Sequence, residues 1–110
     1  ILVGPDCASA CEVFSGAVAH DPNHLIVGYY PTAGIEASVE AWTLPDGVYF
    51  QAPTGRLVDP TTQKPFLEGV GVQPNVKVPV TAANLLSTED PQLTAAEQAL
   101  DKQLAASSGQ

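Results

Sequence analysis

Basic residues are scarce in this chain. Of 110 residues only Arg56, Lys64, Lys77 and Lys102 are Lys or Arg, against twelve Asp and Glu, for a net charge of −8. A surface so poor in cations is a poor partner for phosphate backbones or anionic lipid, which argues against nucleic acid and membrane surfaces. The shortage is sharper in the first half, where Asp6, Glu12, Asp21, Glu36, Glu40 and Asp46 precede any Lys or Arg. No run approaches the roughly 20 apolar residues of a membrane-spanning helix, and no basic signal-type segment opens the chain. Only two cysteines, Cys7 and Cys11, and two histidines, His20 and His24, are present, so a four-ligand zinc site is not expected, nor any other cofactor. Cysteines spaced i, i+4 fit a disulfide that would clamp the segment, half of a metal site, or two small buried residues. Free, partly buried thiols are the expectation.

The length suits one domain with a modest core. Ile1 to Gly4 is a short apolar run ending in glycine, read as a buried strand. Val13, Phe14, Ala17 and Val18 fall at helical spacing, predicting a helix from about Ala8 to Ala19, closed by His20-Asp21-Pro22-Asn23. Leu25 to Tyr29 reads as a second buried strand, and strand–helix–strand implies a parallel pair with a right-handed crossover. Beyond the Pro31–Ile35 loop, Ala37–Leu44 and Val48–Gln51 form a hairpin about Pro45-Asp46-Gly47. Tyr29, Tyr30, Trp42, Tyr49 and Phe50 are expected to pack the sheet and hairpin. Asp59 to Pro65 is irregular, and Asn75 to Val80 is strand-like between Pro74 and Pro79. Asp90-Pro91 reads as an N-cap with proline at the first helical position. Leu93, Ala96, Leu100 and Leu104 form a helical stripe, and Ala105 to Gln110 is expected to fray.

Between the first strand and the first helix stands Asp6-Cys7-Ala8-Ser9-Ala10-Cys11-Glu12-Val13, a small-residue elbow with one hydroxyl. A serine there has free backbone N–H groups and the positive end of a helix dipole beside it, which stabilise a developing oxyanion. The same position also suits a serine that merely caps the helix. Glu12 reads as a first-turn carboxylate favoured by the dipole. The helix is about 16 Å long, so His20 at its far end is out of reach of Ser9, and both histidines read as surface residues.

Cys7-Ala8-Ser9-Ala10-Cys11-Glu12-Val13-Phe14 resembles the Ser-Ala-Ser-Ala-Ser-Glu-Ile motif of the carboxyl-terminal processing, or tail-specific, serine peptidases. Its middle serine, the nucleophile, maps onto Ser9, and its outer serines are Cys7 and Cys11 here. The resemblance continues in order through Leu25-Ile26-Val27-Gly28, Pro31-Thr32-Ala33-Gly34, Leu44-Pro45-Asp46-Gly47 and Thr54-Gly55-Arg56. It ends in Glu68-Gly69-Val70-Gly71-Val72-Gln73-Pro74-Asn75-Val76-Lys77-Val78-Pro79, where Asn75 replaces the usual Asp. The match spans roughly residues 1–80 and implies an α/β fragment of the ClpP/crotonase-like type, the C-terminal part of a catalytic domain over residues 1–82. A helical extension covers 83–110. The chain thus looks like a piece of something larger, with the upstream half of the same domain as partner.

The resemblance also implies a base. Classical members place a Lys in a Thr-Phe-Gly-Lys-Gly loop, but that loop reads Thr32-Ala33-Gly34-Ile35-Glu36 here, and a Ser/Lys dyad of the usual kind cannot be built. A second branch, resembling tricorn protease, uses Ser, an upstream His and a Glu just before the closing strand, the place of Glu68. A carboxylate of this kind orients the His and stabilises the imidazolium; a solvated loop carboxylate is the plainer alternative. The implied activity is peptide-bond hydrolysis through an acyl-enzyme on Ser9, with the Ala10 N–H as one oxyanion donor. A peptide or protein is the substrate, assembly into a homo-oligomer is compatible with the family, and the action lies outside the cytoplasm, as for most members. The rival is a non-catalytic binding or scaffold module, since interphotoreceptor retinoid-binding protein reuses the fold without proteolysis.

Overall fold

A computed structural model describes residues 1–108. The order is α1 (Ala10–Ala19), β1 (Val27–Gly28), β2 (Ser38–Thr43), β3 (Tyr49–Gly55), β4 (Val76–Lys77), α2 (Ala82–Leu85) and α3 (Pro91–Ser108). Helices are combined with two small sheets, an α/β arrangement.

The expected parallel unit is present in shortened form. Leu2 bridges Val27 in parallel, α1 links the two segments, and β1 pairs in parallel with β4, Val27 opposite Val76. The ladders stop early because Pro5, Pro31 and Pro79 carry no N–H to extend them. Side chains complete the edges instead. Asn75 Oδ1 accepts from Ile26 N at 2.9 Å, and Gln92 Nε2 donates to the Val3 and Val27 carbonyls at 3.0 Å each. Gln92 thereby ties α3 to the sheet, and Gln103 Nε2 adds a bond to the Asn23 carbonyl at 2.7 Å.

Val3, Ile26, Leu67 and Val72 form the core, with Ala19 and Phe66 packed against it. The face that α1 buries is Glu12, Ser15 and Gly16, not the expected apolar stripe: Val13 is 42% and Phe14 61% exposed. Small residues on that face let the helix close on Leu67, since a Cβ at Gly16 would stand 3.0 Å from Phe66 Cε1. The turn before β4 is equally tight. Gly71 has φ +68, and a Cβ there would lie 2.4 Å from the Thr32 carbonyl oxygen. Gly71→Ala is therefore expected to cost about 3 kcal/mol, seen as a lower urea midpoint at unchanged slope.

The hairpin forms about its expected turn, closed by Gly47 N donating to the Leu44 carbonyl at 2.9 Å, with Gly47 at φ +81. β3 continues past Gln51 to Gly55 and takes Pro53 opposite Val39, which a strand with an unpaired edge tolerates. The aromatic residues are not the packing core expected of them. Trp42 and Phe50 touch each other, centroids 5.7 Å apart, yet Tyr30, Tyr49 and Phe50 are 50%, 67% and 50% exposed. Among the described residues the hairpin that carries Trp42, Tyr49 and Phe50 has two strands, too thin a layer to bury either face. The radius of gyration, 18.1 Å, exceeds the roughly 13 Å of a compact domain of this length.

α3 begins as the sequence implies: Asp90 Oδ1 accepts from Gln92 N at 3.0 Å and Leu93 N at 3.1 Å. Its Leu93, Ala96 and Leu100 border a groove with Ile1, Leu25 and Val27. The helix runs to Ser108 through residues expected to fray, and the Ser107 and Ser108 hydroxyls donate back to the Gln103 and Leu104 carbonyls. Gly109 and Gln110 lie outside the described residues. The short α2, capped by Thr81 accepting from Asn84 N at 3.1 Å, had no signal beyond that Thr.

Candidate active site

Ser9 is the N-cap of α1, which starts at Ala10, two residues later than expected. Its backbone stands at φ 56, ψ −119, and its side chain makes no capping hydrogen bond. A non-glycine residue with positive φ is uncommon and costs on the order of 1–3 kcal/mol unless its surroundings hold it. Here they do. The Ser9 N–H donates to the Ile35 carbonyl at 2.8 Å, the Ala33 N–H to the Cys7 carbonyl at 2.9 Å, and the Cys7 N–H to the Gly4 carbonyl at 3.0 Å. The result is an exposed hydroxyl at a strand–helix elbow, free of the capping role that is its plainer alternative. The first-turn amides at Cys11, Glu12 and Val13 donate to the Ala8 and Ser9 carbonyls. Ala10, next to Ser9, is an exposed residue, and its N–H has no acceptor among the described residues.

Glu12 does more than favour the helix dipole. It is 0% exposed. Its Oε1 accepts from Thr32 Oγ1 at 2.6 Å and Gly34 N at 2.7 Å, and its Oε2 from Ile35 N at 2.8 Å. One buried carboxylate thus fixes the loop whose Ile35 carbonyl holds the Ser9 amide. Burial works to raise the Glu12 pKa, but hydrogen bonds from Thr32, Gly34, Ile35 and the Ser9 backbone outweigh it and hold the carboxyl below its ordinary value of 4.5. A folded pKa below the unfolded one contributes stability that is present in full above about pH 4.5 and is lost as pH falls through the folded pKa. Glu12→Ala leaves two buried donors and one partly buried donor unpaired and is expected to cost about 3 kcal/mol. Thermal melts between about pH 3 and 7 should also show a flatter acid limb in the variant than in the parent. The signal available in the sequence was Ser9-Ala10-Cys11-Glu12, the spacing of a capping box; the tertiary fold adds to it the three hydrogen bonds from the loop.

Glu68 binds the next residue of this loop, from the opposite side of the Ile35–Glu36 peptide to Ser9. Its Oε2 accepts from Glu36 N at 2.7 Å, and Glu36, itself 6% exposed, accepts from Leu57 N at 2.8 Å. The Ser9 amide and the Glu68 carboxylate therefore grip the two ends of one peptide unit, Ile35–Glu36. That path caps the distance from Ser9 N to Glu68 Oε2 at about 8 Å. Glu68, Glu36 and Arg56 border a cleft of about 370 Å³ at the base of the hairpin. Ile35, standing where the classical Lys would be, is 63% exposed and serves the site through its backbone alone.

The histidines are elsewhere. His20 is the C-cap of α1, about 16 Å of helix away from Ser9, and stacks on Phe66 with centroids 5.4 Å apart. His24 Nδ1 contacts the Asp21 carbonyl.

The cysteines depart from expectation. Cys7 and Cys11 form a disulfide, with Cα atoms 5.3 Å apart, rather than free thiols. Because the helix starts only at Ala10 and Ser9 takes a positive φ, the chain folds Cys7 back toward Cys11 and brings both within bonding range.

Comparison with curated proteins and with solved structures found no match. The model of peptidase family S41 matches residues 1–78, a span that holds the elbow, the Glu12-bound loop, the hairpin and Glu68. The chain belongs to peptidase family S41.

Proposed function

We propose that this chain contributes the nucleophile and the acid of a serine peptidase site that hydrolyses peptide bonds through an acyl-enzyme on Ser9. The observation that carries the reading is Ser9 itself: an exposed hydroxyl, without a capping bond, held at positive φ beside the unoccupied Ala10 N–H. Ser9 Oγ attacks the substrate carbonyl while a His takes its proton; the Ala10 N–H donates to the oxyanion; the His then protonates the leaving amine, and water reverses the sequence. Neither His20 nor His24 is placed for this, so the His comes from outside these 110 residues, and the chain alone has no peptidase activity. Glu68 orients that His. An imidazole between two hydrogen bonds separates hydroxyl and carboxylate by roughly 7–8 Å, and what supports Glu68 for that place is its hydrogen bond to the same loop peptide that holds the Ser9 backbone N–H.

The domain is of the ClpP/crotonase-like type, and its substrates are protein or peptide carboxyl termini. A disulfide persists in oxidising compartments, which supports action outside the cytoplasm. Treating the intact protein with a fluorophosphonate probe and locating the adduct tests the reading. Label on Ser9 is expected; no label under any buffer condition would instead favour a non-catalytic binding module on the same fold.

A further inference from the structure

The cleft at the base of the hairpin holds a carboxylate that the Ser9 chemistry does not use. Glu36 is 6% exposed, and of its two oxygens only Oε2 has a hydrogen-bond partner among the described residues, the Leu57 N–H at 2.8 Å. No side-chain oxygen among those residues is both buried and without a partner, so the little of Glu36 that solvent reaches includes Oε1. Glu36 borders the cleft, which gives that oxygen its access. We propose that this cleft is a substrate subsite for a basic side chain, with Glu36 selecting Lys or Arg close to the scissile bond. The subsite rests on Ser9 as the nucleophile.

A carboxylate taken out of water is costly unless it is paired or well hydrogen-bonded. Glu12 meets that condition with three donors, whereas Glu36 has one. Glu68 borders the same cleft and adds a second negative charge, which the His of the proposed site answers. Arg56 is the one cation among the lining residues. It is exposed and has no hydrogen bond to Glu36 or Glu68, whose bonds go to the Leu57 and Glu36 amides. Two carboxylates against one guanidinium leave the cleft negative, with Glu36 Oε1 open to a charge-assisted bond from an ammonium or guanidinium. Glu36 also stands at the last glycine of the classical Thr-Phe-Gly-Lys-Gly loop, and Ile35 at its Lys. This loop has therefore lost a cation and gained an anion.

The shape agrees with the charge. At about 370 Å³ the cleft is at the small end of ligand pockets, a size for one side chain. Ala37, Pro53 and Gly55 line it, offering apolar or side-chain-free surface to the methylene stem of Lys or Arg. The Ser9 N–H binds the Ile35 carbonyl at 2.8 Å, and Glu36 follows on the other side of that peptide, its Cα no more than about 6 Å from Ser9 N. A substrate chain advances roughly 3.3–3.6 Å per residue. A residue within about two positions of the cut can thus send a long side chain past the peptide to Glu36, and a short side chain stops at the rim.

The test profiles cleavage of an unbiased peptide library by the intact protein and by its Glu36→Gln variant, with fluorophosphonate labelling of Ser9 and thermal melting in parallel. Glutamine keeps a carbonyl acceptor for the Leu57 N–H and loses the charge, so fold and labelling should hold. Parent cleavage sites are expected to be enriched in Lys or Arg at one position within about two residues of the cut. With lysine or norleucine at that position, Glu36→Gln should lower kcat/KM at least about tenfold for the lysine peptide and leave the norleucine peptide unchanged. Arg56→Gln, which removes the competing cation, should favour the lysine peptide further. No basic enrichment in the parent, equal losses on both peptides in Glu36→Gln, or a labelled parent that cleaves nothing in the library overturns the subsite alone. Absence of both label and cleavage overturns the Ser9 assignment and the subsite with it. If Glu36→Gln does not fold, salt decides on the parent: its lysine-to-norleucine preference should fall as ionic strength rises, and an unmoved preference overturns the subsite.

Discussion

Ser9→Ala in the intact protein is expected to abolish fluorophosphonate labelling and to lower peptide hydrolysis by about 10⁴- to 10⁶-fold, the range seen when a triad nucleophile is removed. The substitution isolates chemistry from structure unusually well. Ser9 is exposed and its hydroxyl makes no capping bond, so alanine removes no internal hydrogen bond of the side chain. Alanine also keeps the Cβ and hence the backbone preference that glycine would relax. The thermal midpoint should therefore stay close to that of the parent, within about 0.5 kcal/mol of stability. Hydrolysis at an undiminished rate in Ser9→Ala would remove the acyl-enzyme mechanism, however well the elbow is formed.

Glu68→Gln is the second large effect. The carboxylate does two things that this variant separates. It accepts a hydrogen bond from Glu36 N, which holds the loop, and a glutamine carbonyl can still accept it. It also brings a negative charge to within about 8 Å of the Ser9 amide, and glutamine does not. If the charge stabilises an imidazolium, turnover should fall about 10²- to 10⁴-fold with little change in KM, while the melting curve stays put. Glu68→Ala, which loses the anchor as well, should in addition destabilise by about 1–3 kcal/mol. Full turnover in Glu68→Gln would show that Glu68 only braces the loop and that the acid of the site is another residue.

Local signals in the chain were enough for the strand–helix elbow at Ser9, the hairpin about Pro45-Asp46-Gly47 and the capped start of α3 at Asp90-Pro91. Each depends on a few neighbouring residues whose backbone angles or hydrogen bonds are set by their own chemistry: a proline ring, a glycine at positive φ, a carboxylate beside free amides. The order of motifs likewise carried the family. The absence of a Lys before position 64 already argued, without any coordinates, against a Ser/Lys dyad of the usual kind.

Other features depended on which distant segments meet. Glu12 reads as a plain first-turn acid until the loop 32–35 folds onto it and makes it the buried anchor of the site. Glu68 acquires an aim only when Glu36 N is brought to its oxygen, across 32 residues of chain. The state of Cys7 and Cys11 turned on Ser9 taking a positive φ, a conformation that bonds to Ile35 and Ala33 sustain and that serine does not choose by itself. The aromatic residues of the hairpin show the converse: their composition promised a core, but burial needs a second layer, and the described chain provides none for them. Periodicity and turn chemistry act over a few residues, so the sequence alone determined elements and the candidate nucleophile. Hydrogen bonds and burial between remote segments depend on packing, so the tertiary structure alone decided how that nucleophile is held.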